Sequence, residues 1–189
     1  MATSEIVFVF LTIIFWILVT GYWIVSARKI GQGHRGNEIF SFIKLIGSAL
    51  IIYLPLLTGT FLATKLYTTH FLTGVIGSAL CLSGILIMVW AREHLGKNWS
   101  GNVILQQGHS ISKDGPYKYI RHPIYSGGLL AMLVSAVVVG QIFGFIWVLF
   151  CIFGLNVKIN KEEDLLTGQF PDEYPQYKKY TKKLVPFIW

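Results

Sequence analysis

Charge is what this sequence has least of. Only 13% of its 189 residues are Asp, Glu, Lys or Arg, about half the ~25% of an ordinary soluble domain. The shortage excludes a water-soluble globular chain and points to one that lies in lipid. Acids are scarcer than bases, nine against sixteen, which leaves a net charge of +7. Cysteine is nearly missing. Cys81 and Cys151 lack the spacing of a metal site or a disulfide framework and read as small apolar residues inside helices. No metal is expected. No repeat, low-complexity tract or long soluble stretch interrupts the chain, so residues 1–189 read as one domain without a linker.

What is present is one uncharged run after another. Residues 6–25 carry no charge, and twenty residues at ~1.5 Å each reach across a ~30 Å hydrocarbon core. Residues 45–63 and 71–91 are two more such runs, the first with Pro55 as an expected kink. Residues 123–157 hold no charge at all, yet a single helix of that length, about 50 Å, is too long for one crossing. Gly140-Gln141 supplies a turn signal, so two short spans are expected, at about 124–139 and 142–157. The fold class is therefore an all-α integral membrane protein of five transmembrane helices. The first run is expected to be a span and not a cleaved leader, because no positive segment precedes it and its apolar length is too great.

Lys and Arg set the orientation. Arg28, Lys29, Arg35 and Lys44 follow the first span, and Arg92, Lys97, Lys113, Lys118 and Arg121 follow the third. Lys158, Lys161, Lys178, Lys179, Lys182 and Lys183 follow the fifth, whereas the opposite side holds only Lys65. The N-terminus is expected outside and the C-terminus in the cytoplasm. The net positive charge then reflects this bias and attraction to anionic membrane lipids, and nucleic acid is not needed to explain it. "GQGHRG", with Gly31, Gly33 and Gly36, imitates a dinucleotide fingerprint. That fingerprint works only between a strand and a helix, and here it joins two membrane helices.

The polar residues gather in two cytoplasmic segments, about 95–123 and 158–189, each abutting the last helical hairpin. Gly115-Pro116 is a turn, and Tyr117, Tyr119 and Tyr125 are rings suited to the membrane interface. Pro123 is tolerated in the first turn of span four. His122 then lies beside free backbone donors and a positive dipole end, an anion site by construction. An interfacial anchor made of Arg and aromatic rings is the plain alternative. Glu162, Glu163 and Asp164 break the positive-inside trend just after the last span. A site with Arg121, His122 and a Glu can receive a zwitterionic molecule.

These stretches carry a resemblance. "GPYKYIRHPIYSG", then "EEDLL", then "FPDEYPQYKKYTKKLVPFI" resembles the isoprenylcysteine carboxyl methyltransferase family over about the second half of the chain. R-H-P-x-Y-x-G by itself also resembles membrane sterol reductases and phospholipid N-methyltransferases. The resemblance implies methyl transfer from S-adenosylmethionine, with S-adenosylhomocysteine as product, to the carboxylate of a prenylated cysteine or a similar lipid-borne acceptor. It implies a cofactor pocket on the cytoplasmic side, built by the C-terminal half. By position that pocket takes His109, Ser110, Ile111, Ser112, Tyr117, His122, Pro123, Ile124, Tyr125 and Glu162, with Arg121, His122 and Tyr125 positioning. Glu163 is expected to matter less directly. Lys158 stands where eukaryotic members carry a substrate-side Arg, and it loses the bidentate fork. The chain looks like a short prokaryotic-type, multi-pass member, in the cell membrane if prokaryotic. An ionised carboxylate acceptor needs no general base, so catalysis would be positioning and water exclusion. Phospholipid N-methylation and, further off, an NADPH-dependent sterol-reductase-like activity are the alternatives.

Overall fold

A computed structural model describes residues 3–26, 46–58, 61–96, 111–186 and 188. The fingerprint-like loop at Gly31–Gly36 lies outside the described residues. Among the described residues the chain is helical, with two isolated backbone bridges and no strand. Each uncharged run forms a helix: α1 at Thr3–Ser26, α2 at Ile46–Thr58, α3 at Phe71–Leu95, α4 at Pro123–Val139 and α5 at Ile142–Gln169. A short polar helix, α6, follows at Glu173–Tyr180. Helices α1, α3 and α5 are long and apolar enough to cross a membrane, while α2 and α4 are shorter.

The departures from the expected boundaries have local causes. Helix α2 tightens to a 3₁₀ turn at Ile51–Tyr53, where the Leu54 N–H bonds to the Ile51 carbonyl. The distortion sits just before Pro55, which has no N–H to continue the ladder. Helix α5 does not stop at 157. Residues 158–167 hold no Pro or Gly, so the helix runs on for about three turns and carries Lys158, Glu162 and Glu163 out of the apolar zone.

Helix α4 lies at the centre, with Ala131, Met132, Ala136 and Val139 fully buried. Lipid tails are as apolar as Leu, so helices associate through close approach and hydrogen bonds. The small residues of α3 provide the approach. A methyl added at Gly84 would lie 2.6 Å from the Gly127 carbonyl oxygen of α4, and one at Gly77 would lie 2.6 Å from Val138. The hydrogen bonds come from the middle of the bundle. Trp16 of α1 donates its indole N–H to Ser135 of α4 at 3.1 Å, and Tyr53 of α2 donates to Thr12 of α1 at 3.0 Å. Trp147 of α5 donates to the Ser48 carbonyl of α2 at 2.6 Å. Phe10, Ile17 and Leu18 of α1 and Leu149, Phe150 and Phe153 of α5 stay exposed, as a lipid-facing surface requires.

The five helices alternate between two ends of the bundle. At one end Gly140 adopts a left-handed φ of 71° and turns α4 into α5, which is the hairpin the turn signal predicts. The Leu66 N–H bonds to the Gly140 carbonyl at 2.9 Å, and buried Glu5 accepts from Lys65 at 2.8 Å and from the Thr69 N–H at 2.7 Å. At the other end Tyr22 of α1 donates to Glu93 of α3, and the polar segments meet.

Candidate functional site

The segment before α4 is held by backbone pairing that is distant in sequence. After a 3₁₀ turn at Gly115–Lys118, residues 119–122 run parallel to residues 182–183. The Lys182 N–H bonds to the Tyr119 carbonyl at 3.1 Å, the Arg121 N–H to Lys182 at 2.8 Å and the His122 N–H to Lys183 at 3.2 Å. Ser126 adds its hydroxyl to the Leu184 carbonyl at 2.5 Å, and Tyr177 of α6 donates to the Tyr117 carbonyl at 2.6 Å. Pro123 opens α4, its ring preset for a first helical position. Arg121 and His122 are thus fixed at the start of the central helix, facing α5.

Glu162 and Glu163 reach this point from α5. They are neighbours, but consecutive helical residues point about 100° apart, and their surroundings differ. Glu163 is buried. Its Oε1 accepts from Arg121 Nε at 2.7 Å and from His122 Nε2 at 3.3 Å, and its Oε2 faces Lys178 Nζ at 2.9 Å. The Arg121 Nη1 also donates to the Thr181 carbonyl at 2.5 Å. Burial alone would raise the Glu163 pKa, but hydrogen bonds from His122, Arg121 and Lys178 outweigh it and hold the carboxyl well below the usual range. Burial pushes the phenols of Tyr117, Tyr174 and Tyr177 up, so all three are neutral donors at physiological pH.

Glu162 is less enclosed, its side chain 16% exposed against 5% for Glu163. Its Oε1 accepts from the Tyr125 hydroxyl at 2.7 Å. Its Oε2 lies 3.6 Å from His122 Nδ1, and Lys158 Nζ stands 3.8 Å from Oε1 one turn back on α5. The His122 and Tyr125 rings stack at 5.7 Å with planes 14° apart, and the Lys158 ammonium sits 5.2 Å from the Tyr125 ring centre. The positive end of α4 therefore already faces carboxylates of the chain itself. The arrangement offers a carboxylate with spare accepting capacity, an aromatic ring that tolerates a cation, and a partly exposed ammonium, all where α5 leaves its apolar length.

The structure brings together Arg121, His122, Tyr125, Lys158 and Glu162, five residues singled out by sequence. Pro123 and Ile124 are buried in the first turn of α4, and Tyr117 is buried in the 3₁₀ turn, which packs against α3. Ile111 and Ser112 lie half-exposed on the approach to the 3₁₀ turn, while His109 and Ser110 fall outside the described residues. The buried carboxylate is Glu163, the residue expected to matter less. Sequence reasoning also missed Lys178, Tyr174, Tyr177 and Thr181. A signal existed: Tyr174, Tyr177 and Thr181 recur at three and four residues, one buried helical face.

The chain is similar in sequence to known proteins. Residues 75–168 match the family model of the isoprenylcysteine carboxyl methyltransferase (ICMT) family, a stretch that runs from α3 to the end of α5. The chain is 27% identical over 147 residues to the uncharacterized protein YpbQ of Bacillus subtilis, covering 75% of this chain and 82% of YpbQ. It is 32% identical over 114 residues to a protein-S-isoprenylcysteine O-methyltransferase of Schizosaccharomyces pombe, covering 58% of this chain and 47% of that protein. A protein of the same name from Dictyostelium discoideum is 28% identical over 118 residues, 60% of this chain and 49% of its own. The match thus spans about half the length of these two eukaryotic relatives.

Proposed function

The chain belongs to the isoprenylcysteine carboxyl methyltransferase family, and from that premise we propose that it is a membrane methyltransferase using S-adenosylmethionine. The acceptor is the carboxylate of an isoprenyl-cysteine or a similar lipid-borne molecule. The observation that carries this reading is the Glu162–Tyr125–Lys158 cluster at the point where the apolar bundle ends.

The residues present fit the donor's charges. S-adenosylmethionine supplies a methyl group activated by a sulfonium. Glu162 can accept hydrogen bonds from its ammonium or ribose hydroxyls, because among the described residues only one bond under 3 Å, from Tyr125, occupies this carboxylate. The face of Tyr125 suits a sulfonium, as the nearby Lys158 ammonium illustrates. The Tyr174 hydroxyl is buried with no hydrogen-bond partner among the described residues, although the charges of Glu163, Arg121 and Glu162 act on it. An orphaned polar atom in a family enzyme suits a ligand contact. His109, Ser110, Ile111 and Ser112 complete the proposed pocket by family position.

Because an acceptor carboxylate is already ionised, no side chain has to remove a proton. The work left to the chain is binding and alignment. Lys158 steers the acceptor carboxylate, while the apolar helices receive its prenyl tail and keep water away. The Lys/Arg asymmetry supports five crossings, by α2 and α4 as well as the three long helices, with this end of the bundle in the cytoplasm. The test is a titration of the purified protein in micelles with S-adenosylhomocysteine and, separately, NADPH. Saturable binding of the first alone is expected, and binding of NADPH alone overturns the reading.

A further inference from the structure

Resting on that methyltransferase reading, we propose that Glu163 is the positioning residue of the site. It holds His122 as the Nε2–H tautomer and so presents Nδ1, beside Glu162, as a second acceptor for the ammonium or hydroxyl protons of the donor. Three contacts from Arg121, His122 and Lys178 already occupy the Glu163 carboxylate, and its side chain is only 5% exposed. Its oxygens are thus taken up by donors of the chain itself. Glu162 has the reverse character: among the described residues it has one close partner, Tyr125, and no hydrogen bond on Oε2.

His122 lies between the two carboxylates. A neutral imidazole donates from one nitrogen and accepts at the other, and the bond made by one nitrogen sets the role of its partner. The 3.3 Å contact to Glu163 claims the Nε2 proton. Stacking on Tyr125, with planes 14° apart, fixes the ring orientation. Nδ1 then carries a lone pair 3.6 Å from Glu162 Oε2. That separation exceeds a hydrogen bond, so the two atoms are not bonded to each other. They form a pair of acceptors that one donating group can bridge. Arg121 and Lys178 neutralise Glu163 on its far side, so its role is to hold the imidazole while Glu162 meets the ligand.

The experiment uses the full chain in micelles with ¹⁵N-labelled histidine, in mildly alkaline buffer, His122 being assigned by its absence in His122→Asn. The expected wild-type signature is a protonated Nε2 and a bare Nδ1, read without any ligand. In Glu163→Gln the tautomers mix and S-adenosylhomocysteine affinity falls about tenfold, the scale of one charged hydrogen bond, while KM for a farnesylated cysteine analogue holds. Lys179→Gln, at an exposed position of α6, leaves both readouts in place. A wild-type Nδ1–H tautomer, or a ring protonated on both nitrogens, overturns the proposal. So does a folded Glu163→Gln with the wild-type signature and affinity, or a Lys179→Gln that weakens binding as much as Glu163→Gln. If the wild type fails to bind S-adenosylhomocysteine, the functional reading falls separately, and the tautomer still decides whether Glu163 governs His122.

Discussion

Removing Arg121 should damage the fold far more than removing Lys178, although both pair with the same carboxylate. The Arg121 side chain is 9% exposed and Glu163 5%, with 2.7 Å between Nε and Oε1. Lys178 is 40% exposed at 2.9 Å. Breaking a buried pair by deleting one partner costs about 3–5 kcal/mol, because the remaining charge is stranded. In Arg121→Gln, Glu163 keeps Lys178 and His122, which lowers the figure. The Thr181 carbonyl loses its guanidinium donor, which adds about 1–2 kcal/mol. The expected loss is about 3 kcal/mol. For Lys178→Gln the pair is half in solvent, and exposed pairs are worth about 0.2–1 kcal/mol. Reversible unfolding in mixed micelles measures both, and added salt should weaken only the Lys178 contribution. Equal losses for the two variants, or a loss under 1 kcal/mol for Arg121→Gln, would refute the reasoning that the buried Arg121–Glu163 pair holds the start of α4 to α5.

Lys158→Met should weaken use of a farnesylated cysteine acceptor by about tenfold, the value of a charged hydrogen bond, with S-adenosylhomocysteine binding nearly intact. Lys158→Arg should restore or improve acceptor use through its bidentate fork; identical acceptor kinetics in all three proteins would make Lys158 a membrane-edge anchor. The folded state holds the Glu163 pKa below its ordinary value near 4.5, so the unfolded chain binds the extra proton first. The contribution of Glu163 is therefore complete above that pH and is lost as pH falls below it. Melting curves from pH 7 downward should show a steeper acid loss for wild type than for Glu163→Gln, and parallel curves would contradict this. Single cysteines at positions 66 and 113 in sealed vesicles should label from opposite sides; labelling from one side would overturn the five-crossing arrangement.

The helices were legible because lipid imposes a simple demand, an uncharged run for every crossing. Gly140-Gln141 was legible as well, since a left-handed turn selects glycine. The site was legible only where a residue broke a trend: Arg121 and His122 against an apolar run, and acids among lysines. What stayed hidden depends on contacts between distant segments. Glu162 and Glu163 look equivalent in sequence, and only the packing of Arg121 and Lys178 decides which is buried. Lys178 reads as one member of a basic tail until α6 folds over α5. The pairing of 119–122 with 182–183 uses backbone atoms, which leave no mark on residue identity.

If this site carries a methyl group to a carboxylate, its product is a base-labile methyl ester. Membranes containing the wild-type chain, or its Glu162→Gln variant, are incubated with methyl-labelled S-adenosylmethionine and a farnesylated cysteine analogue, and the labelled product is treated with base. The expected result is label that base releases as methanol, the mark of a carboxyl ester, with transfer at subsaturating donor about tenfold lower in Glu162→Gln, as loss of a charged hydrogen bond implies. Label that resists base and stays in phospholipid, or transfer unchanged in Glu162→Gln, would contradict it.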